Sequence, residues 1–199
     1  MPAAEQQVNE DFLTELRNAT SQQHTQLEST DLSKKLLSDF VTVEDYKNYL
    51  LKMKDIVAYC EEAIFPCVEN VITDIKSRRK LPLIQHDLDC LHAGITTGNS
   101  FQPIKKNITT AYALGFMYVV EGSTLGGRII LKHLKAKLGI TDEECGTFFA
   151  GYKTSTGILW KNFLQFLSLY ASQHNAANEI TEGAKDAFES IYNYFSNTR

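Results

Sequence analysis

Residues 114–131 read LGFMYVVEGSTLGGRIIL, a run in which apolar residues recur at helical spacing on both sides of three glycines. Gly122, Gly126 and Gly127 fall inside this predicted helix, where each glycine costs about 1 kcal/mol relative to alanine. Gly122 and Gly126 are four residues apart, so they share one face of the helix. Such a face lets the backbone approach a flat neighbour closely, and that neighbour is either another helix or a bound ligand.

The same apolar periodicity predicts helices along most of the chain. Asn9 is expected to cap a first helix, with Leu16 and His24 on its buried face. Thr42 starts a Thr-x-x-Asp capping pattern before a long second helix, which Pro66 should kink or end. Because no strand pattern alternates, the expected fold is an all-α bundle of about six to eight helices. The later predicted helices cover residues 82–91, 107–138, 158–173 and 180–195.

Length and composition favour one domain over residues 1–199, with residues 1–9 as a flexible tail. The chain has 199 residues, of which 43% are apolar, and this is enough to bury a core. A net charge of −4 lacks the basic excess of nucleic-acid-binding proteins. The longest apolar run is too short to cross a bilayer, and the N-terminus resembles no secretion signal. We therefore expect a cytoplasmic protein without nucleic-acid or membrane partners, whose four cysteines are reduced packing residues.

Three local features receive structural interpretations. The basic sequence Arg-Arg-Lys at residues 78–80 is interpreted as a solvated corner before a proline. Glu121 is expected either to face solvent or to pair with Arg128. The loop that bears Gly94 and Gly98 is the predicted flexible segment.

Arg17 and His24 suggest a more specific chemistry. The two residues are seven positions apart, which is two helical turns, so they lie on the same side of the first helix. A lone histidine on an apolar face is usually a core residue, and a lone arginine is usually solvated. Together, however, they suit a flat, dianionic metal macrocycle, because the imidazole can ligate iron while the guanidinium meets a carboxylate.

Two motifs carry a resemblance to a known family. Residues 16–28 (LRNATSQQHTQLE) and 113–127 (ALGFMYVVEGSTLGG) resemble, in order and separation, the bacterial biliverdin-producing heme oxygenases. Residues 79–88 (RKLPLIQHDL) and 151–160 (GYKTSTGILW) also resemble the branch of that family that serves bacteriophytochromes. The similarity extends over most of the chain, and residues 121–127 are its most specific part.

The resemblance implies a heme-oxygenase-like multi-helical bundle that holds heme b between the first helix and the glycine-bearing helix. It implies that His24 is the proximal iron ligand and that Gly122 and Gly126 form the distal floor, with Ser123 beside them. The remaining residues that it places at the heme are Arg17, as the partner of a propionate, Tyr118 and Lys161.

The reaction implied by the resemblance is the oxidative cleavage of heme by O2 to biliverdin, CO and free iron. The cofactor carries the difficult chemistry, while the protein supplies orientation and protons through ordered water. Electrons come from an external ferredoxin or reductase, because the chain shows no flavin, nicotinamide or iron–sulfur motif. Mammalian relatives have an aspartate where this chain has Ser123, so Ser123, Thr124 or Glu121 would have to anchor the water here.

Two other classes of protein stay open at the level of sequence. A helical di-iron oxygenase needs repeated carboxylate-x-x-His ligand sets, and only Asp89 and His92 have that spacing. His92 is otherwise interpreted as a loop histidine. A non-catalytic heme carrier, sensor or interaction module would keep the same fold without turnover. If Arg17 does not bind a propionate, Lys161 or the Lys34–Lys35 pair would take that role.

Overall fold

The computed structural model describes residues 3–94, 101–103 and 107–197, with side chains from residue 11 onward. The chain is 78% helical, and these residues contain no β-strand beyond isolated bridges at Thr141. This confirms the predicted all-α fold. None of the described helices is long and apolar enough to cross a membrane. The α-helices are α1 (Ala3–Glu28), α2 (Asp31–Leu36), α3 (Val43–Tyr59), α4 (Phe65–Val68), α5 (Leu81–Cys90), α6 (Thr110–Leu138), α7 (Thr147–Ala150), α8 (Thr156–His174) and α9 (Ala177–Ser196).

Local sequence signals set several helix ends as predicted. The Thr42 hydroxyl accepts a hydrogen bond from the Asp45 amide, and the Asp45 carboxylate accepts one from the Thr42 amide. After α3 the chain forms one turn of π-helix, Cys60–Ile64, just before Pro66. Pro66 has no N–H to donate to the preceding turn, so the regular hydrogen-bond pattern breaks there. α6 ends at Leu138 and is capped by Gly139, which has a φ of 75°.

The start of α1 differs from the sequence prediction. The helix begins at Ala3, so Asn9 is an interior residue and not its cap. The intervening residues, AEQQV, are mostly strong helix formers, which outweigh the capping tendency of asparagine. Of the predicted flexible loop, Gly94 is exposed, whereas Gly98 lies outside the described residues.

The expectation that all cysteines are reduced is wrong. Cys90, at the end of α5, forms a disulfide with Cys145, in the turn before α7. Asp87 brings these segments together, because its buried carboxylate accepts hydrogen bonds from the Thr147 and Phe148 amides at 2.9 and 2.8 Å. The pairing spans 55 residues and depends on this contact between helices, which no cysteine spacing could reveal.

Removing the disulfide should destabilise the fold. We expect the double variant Cys90→Ser/Cys145→Ser to lose about 2–4 kcal/mol of unfolding free energy, because a cross-link over a long loop restricts the unfolded chain. Urea unfolding without reductant measures the loss, and Cys67→Ser, at a half-buried free thiol, is the control. If the denatured, unreduced protein titrates with four free thiols instead of two, the disulfide does not form.

α9 fixes the relative positions of the helices that carry the predicted site. Gly115 on α6 lies against the Ile180 carbonyl, and Gly183 on α9 lies against the Tyr112 carbonyl. A Cβ atom at either glycine would overlap that backbone, so the two helices cross at very close range. α1 packs against α9 as well. α1 and α6 therefore both pack against α9, which fixes their relative positions.

Candidate functional site

His24 is exposed, in contrast to the prediction that it lies on the buried face of α1. Its side chain is 57% accessible, and its Nδ1 lies 3.6 Å from the Glu28 carboxylate. Its ring lies 5.6 Å from the ring of Phe188 on α9, nearly perpendicular to it. Each four-residue step advances about 40° around a helix, so His24 has turned about 80° away from the buried Leu16. The imidazole is therefore available for a ligand.

Arg17 and Tyr118 lie where α1, α6 and α8 come together. Arg17 is exposed on α1, and its charge acts on the hydroxyl of Tyr118 on α6. Burial raises the pKa of Tyr118, and the charge of Arg17 together with a hydrogen bond to Thr20 offsets only part of that rise. The ring of Tyr118 lies 5.6 Å from that of Trp160 on α8. The structure thus brings two predicted heme residues together.

Gly122, Gly126 and Gly127 on α6 have different surroundings. A Cβ atom at Gly127 would lie 3.0 Å from the Phe149 carbonyl, so helix packing explains this glycine. At Gly122 a Cβ would make only ordinary contact, 3.5 Å from the Trp160 ring. At Gly126 it would meet nothing within 4 Å. Packing between helices therefore does not account for Gly126, which leaves open backbone surface at this point of α6.

Two exposed apolar residues, which the sequence prediction omitted, lie beside the open glycines. Leu125 is 44% exposed and Ile129 is 67% exposed. Their four-residue spacing places them together on the helix surface next to Gly126. In the sequence, Leu125 and Ile129 form a second pair with i, i+4 spacing, which overlaps the pair formed by Gly122 and Gly126. That spacing is the signal that could have identified them. An open backbone floor flanked by exposed apolar side chains suits a flat, largely apolar molecule.

The hydroxyl groups after Gly122 lie next to a small cavity. Ser123 donates a hydrogen bond to the Val120 carbonyl, and Thr124 donates one to the Glu121 carbonyl. The cavity has a volume of about 30 Å³, which is room for about one or two water molecules. Its lining combines polar groups with an apolar wall and consists of Tyr49, Met53, Lys80, Ser123, Thr124, Gly127, Ile130, Phe148 and Phe149.

The interpretation of residues 78–80 as a solvated corner is wrong for two of the three side chains. Arg78 and Lys80 are buried, and only Arg79 is exposed. Arg78 lies 2.6 Å and Lys80 2.5 Å from the carboxylate of Glu121, and the Tyr152 hydroxyl donates to the same carboxylate at 2.9 Å. Glu121 thus neither faces solvent nor pairs with an α6 neighbour. The signal that could have shown this was a carboxylate directly after an apolar helical run.

The buried ionic cluster formed by Asp74, Arg78, Lys80, Glu121 and Tyr152 is balanced in charge. Arg78 also donates to both oxygens of Asp74, at 2.7 and 2.9 Å. Burial opposes the charge of Arg78, but the hydrogen bonds and charges of Asp74 and Glu121 prevail and raise its pKa above the ordinary value. Burial and the Glu121 charge raise the pKa of Tyr152, which keeps its hydroxyl a donor.

The ionic cluster holds one face of α6 against α8. This face carries Gly122 and Gly126 and is called the glycine face below. Glu121 directly precedes Gly122 in the chain. Arg78 also donates to the Leu159 carbonyl at 3.1 Å, and Leu159 directly precedes Trp160. Gly122 and Trp160 lie against each other, and the ionic cluster anchors each of them through the residue that precedes it in the chain.

Other sequence candidates lie apart from these contacts. Lys161 is exposed and makes no hydrogen bond or ion pair within the described part of the chain. His92 is exposed, with a φ of 51°, and Asp89 accepts a hydrogen bond from Gln85. Lys35 lies 3.5 Å from the Asp45 carboxylate. No cluster of three or more metal-binding side chains occurs among the described residues.

The residues present fit a heme. The accessible imidazole on α1 would supply a ligand for the iron, and the backbone of α6 at Gly126 with its exposed apolar neighbours would supply a flat surface for the macrocycle. Glu28 beside Nδ1 can orient the ring and leave Nε2 for the iron.

Comparisons with known proteins identify the family and the fold. Residues 10–197 match the model of the heme oxygenase family. The fold is similar to a heme oxygenase from Neisseria meningitidis, with a TM-score of 0.74, 20% identity and coverage of 94% of this chain and 93% of that one. A heme oxygenase from Leptospira interrogans also gives 0.74, with 17% identity and coverage of 94% and 99%. No curated protein sequence matches the chain. Since the family model spans nearly the whole chain, this protein belongs to the heme oxygenase family.

Proposed function

We propose that this heme-degrading enzyme cleaves heme b to biliverdin, CO and free iron, using O2 and electrons from an external donor. The observation that carries the proposal is Gly126, an open glycine inside a helix with no packing role. Membership of the bacteriophytochrome-associated branch is part of the proposal and rests on the four sequence motifs. We also propose that residues 1–199 act as one domain.

The chain's own residues have separate roles in this proposal. Bound heme supplies the iron and the carbon that is oxidised. His24 would hold the iron, and Gly122 and Gly126 would let the backbone of α6 lie close to the heme. Ser123 and Thr124 hold water in the adjoining cavity, because their hydroxyls lie at its wall and can accept hydrogen bonds. That water is the proposed route for protons.

A single-turnover experiment separates catalysis from simple heme carriage. Hemin is added to the protein without oxygen, and O2 is then supplied with ascorbate and with catalase, which removes free peroxide. Biliverdin and CO support the proposal. A stable ferrous–oxygen spectrum identifies a heme carrier or sensor instead, and the absence of a heme spectrum overturns the assignment of the site.

Replacing Gly126 should separate stability from activity. We expect Gly126→Leu to keep or raise the stability of the apoprotein, because leucine is a better helix former and nothing lies nearby. Heme binding and biliverdin formation should be lost, because a branched side chain would occupy the space in which the heme is proposed to lie against the α6 backbone. The matched variant Gly127→Leu should destabilise the apoprotein by about 1–3 kcal/mol through overpacking against Phe149. Normal biliverdin formation by Gly126→Leu would contradict the proposed floor.

Arg17 is the proposed partner of a heme propionate. Arg17→Ala should weaken heme binding by about ten- to a hundredfold, the loss expected for one hydrogen bond to a charged group. It should also broaden the mixture of biliverdin isomers, since rotation about the iron–histidine bond is less restrained. Heme titration and product chromatography measure both effects, with Lys161→Ala for comparison. Unchanged affinity with one unchanged isomer would remove Arg17 from the site.

A further inference from the structure

Lys80 is a buried cation in the wall of the cavity that Ser123 and Thr124 also line. Its side chain is 4% exposed. Within the described part of the chain, its ammonium group donates one hydrogen bond, to the Glu121 carboxylate. An ammonium group carries three hydrogens, and buried polar groups normally find partners. Two hydrogens of Lys80 are thus left for an acceptor outside the described residues, and the adjoining cavity has room for water.

Both ends of Lys80 are held in place. At the start of α5, the Glu61 carboxylate accepts hydrogen bonds from the amides of Lys80 and Leu81, at 2.6 and 2.8 Å. At the other end, the ammonium group pairs with Glu121 and lies 5.0 Å from the centroid of the Tyr152 ring, in a cation–π contact. Lys80 is therefore a fixed donor, and little side-chain entropy remains to be lost when it binds water.

The two α6 hydroxyl groups in the cavity wall can only accept hydrogen bonds from water. Ser123 and Thr124 each donate their one hydrogen to a carbonyl of their own helix, at 2.8 and 2.6 Å. Their oxygens can still accept. A water molecule in the cavity would thus donate its hydrogens to these oxygens, and it needs a donor for its own lone pairs.

Lys80 is the donor that meets this need best. The other donor in the described wall is the hydroxyl of Tyr49, whose pKa is raised by burial, so it stays neutral and offers one hydrogen. Hydrogen bonds from a charged donor are about twice as strong as those from a neutral one. Glu121 does not line the cavity, and its carboxylate already accepts hydrogen bonds from Arg78, Lys80 and Tyr152.

We propose that Lys80 is a positioning residue for the proton route: its ammonium group donates a hydrogen bond to water in the cavity and turns the hydrogens of that water toward Ser123 and Thr124. The inference deepens the proposed function and rests on it. When the water gives one proton toward the heme, the charge of Lys80 stabilises the hydroxide that is left, and one proton from solvent restores the water. Ser123 and Thr124, as acceptors, cannot orient the water in this way.

The first test is a crystal structure of the apoprotein that resolves ordered water. We expect about one or two waters in the cavity, one of them within about 3.2 Å of Lys80 Nζ and of a hydroxyl oxygen of Ser123 or Thr124. In Lys80→Met the cavity should lose its ordered water, because methionine has a similar shape but no donor. A dry cavity in the unmodified protein, or unchanged water in Lys80→Met, overturns the inference.

The second test measures the reaction in the single-turnover experiment described above. Lys80→Met should bind hemin within about twofold of the unmodified protein, because Lys80 acts on the water and not on the heme. It should form biliverdin about tenfold or more slowly, since the water is no longer oriented. The solvent deuterium isotope effect on this rate should increase, because proton delivery becomes the slow step.

Tyr152→Phe is the matched control. It removes another hydrogen bond to Glu121 but leaves the cavity wall unchanged, because Tyr152 does not line the cavity. Both variants should lower the stability of the apoprotein, whereas only Lys80→Met should change the cavity water, the rate and the isotope effect. Equal slowing in the two variants would assign Lys80 a purely structural role and overturn the inference.

The remaining outcomes separate this inference from the proposed function. If the unmodified protein forms no biliverdin, the proposed function fails and the inference fails with it. If Lys80→Met forms biliverdin at the unmodified rate and with the unmodified isotope effect, the inference alone is overturned. If Lys80→Met does not fold, the crystal structure of the unmodified protein decides: water bonded to Nζ supports the inference, and a cavity without such water overturns it.

Discussion

Replacement of His24 by alanine is expected to abolish heme turnover and leave the apoprotein folded. The imidazole is more than half exposed and contributes little to the core, so the unfolding free energy should change by about 0.5 kcal/mol or less. The side chains in contact with His24 include Glu28 and Phe188, and neither offers a second imidazole to the iron. Heme titration, biliverdin yield and urea unfolding of the apoprotein test the three parts of this expectation.

The chain offers a closely matched control. His86 has the same side-chain exposure, 57%, and also lies near a carboxylate, 3.3 Å from Asp87. His86→Ala should retain the heme spectrum and turnover, because His86 lies on α5, away from the glycine face. Added imidazole should restore part of the five-coordinate spectrum to His24→Ala. A normal heme spectrum together with a normal biliverdin yield in His24→Ala would reject His24 as the ligand.

Breaking the buried ionic cluster is expected to cause the largest loss of stability. Arg78→Met removes a fully buried guanidinium, so Asp74 loses its ion-pair partner and Glu121 keeps only Lys80 and Tyr152. Uncompensated buried charge costs about 3–5 kcal/mol. For a chain of this size that corresponds to a fall of about 6–20 °C in Tm. Calorimetry of the apoprotein, or urea unfolding followed by circular dichroism, measures the change.

The neighbouring arginine provides the control for this experiment. Arg79 is 60% exposed and lies 3.7 Å from Glu61, so Arg79→Met should cost about 0–1 kcal/mol, as surface ion pairs do. The double variant Arg78→Met/Asp74→Asn should recover part of the loss, because it removes the carboxylate left without a cation and keeps the Lys80–Glu121 pair intact. Equal stability of Arg78→Met and Arg79→Met would show that the cluster does not hold the fold together.

Some features of the molecule follow from short-range chemistry and were predictable. The capping box at Thr42, the break before Pro66 and the end of α6 at Gly139 each depend on residues within about five positions. The all-α fold follows from apolar residues at helical spacing. The contrast between Gly126 and Gly127 was only half predictable, because the sequence shows both glycines but not that Phe149 lies against one of them.

The sequence by itself determined the helices and the motifs that carry the family resemblance, because both depend on neighbouring residues. The tertiary structure alone decided that Arg78 and Lys80 are buried, since the carboxylate of Glu121 lies more than 40 positions away in the chain. It likewise joined Cys90 to Cys145 across 55 residues. The physical reason is that a charge or a thiol acquires its environment from whatever the packed helices bring against it, and local spacing does not encode that partner.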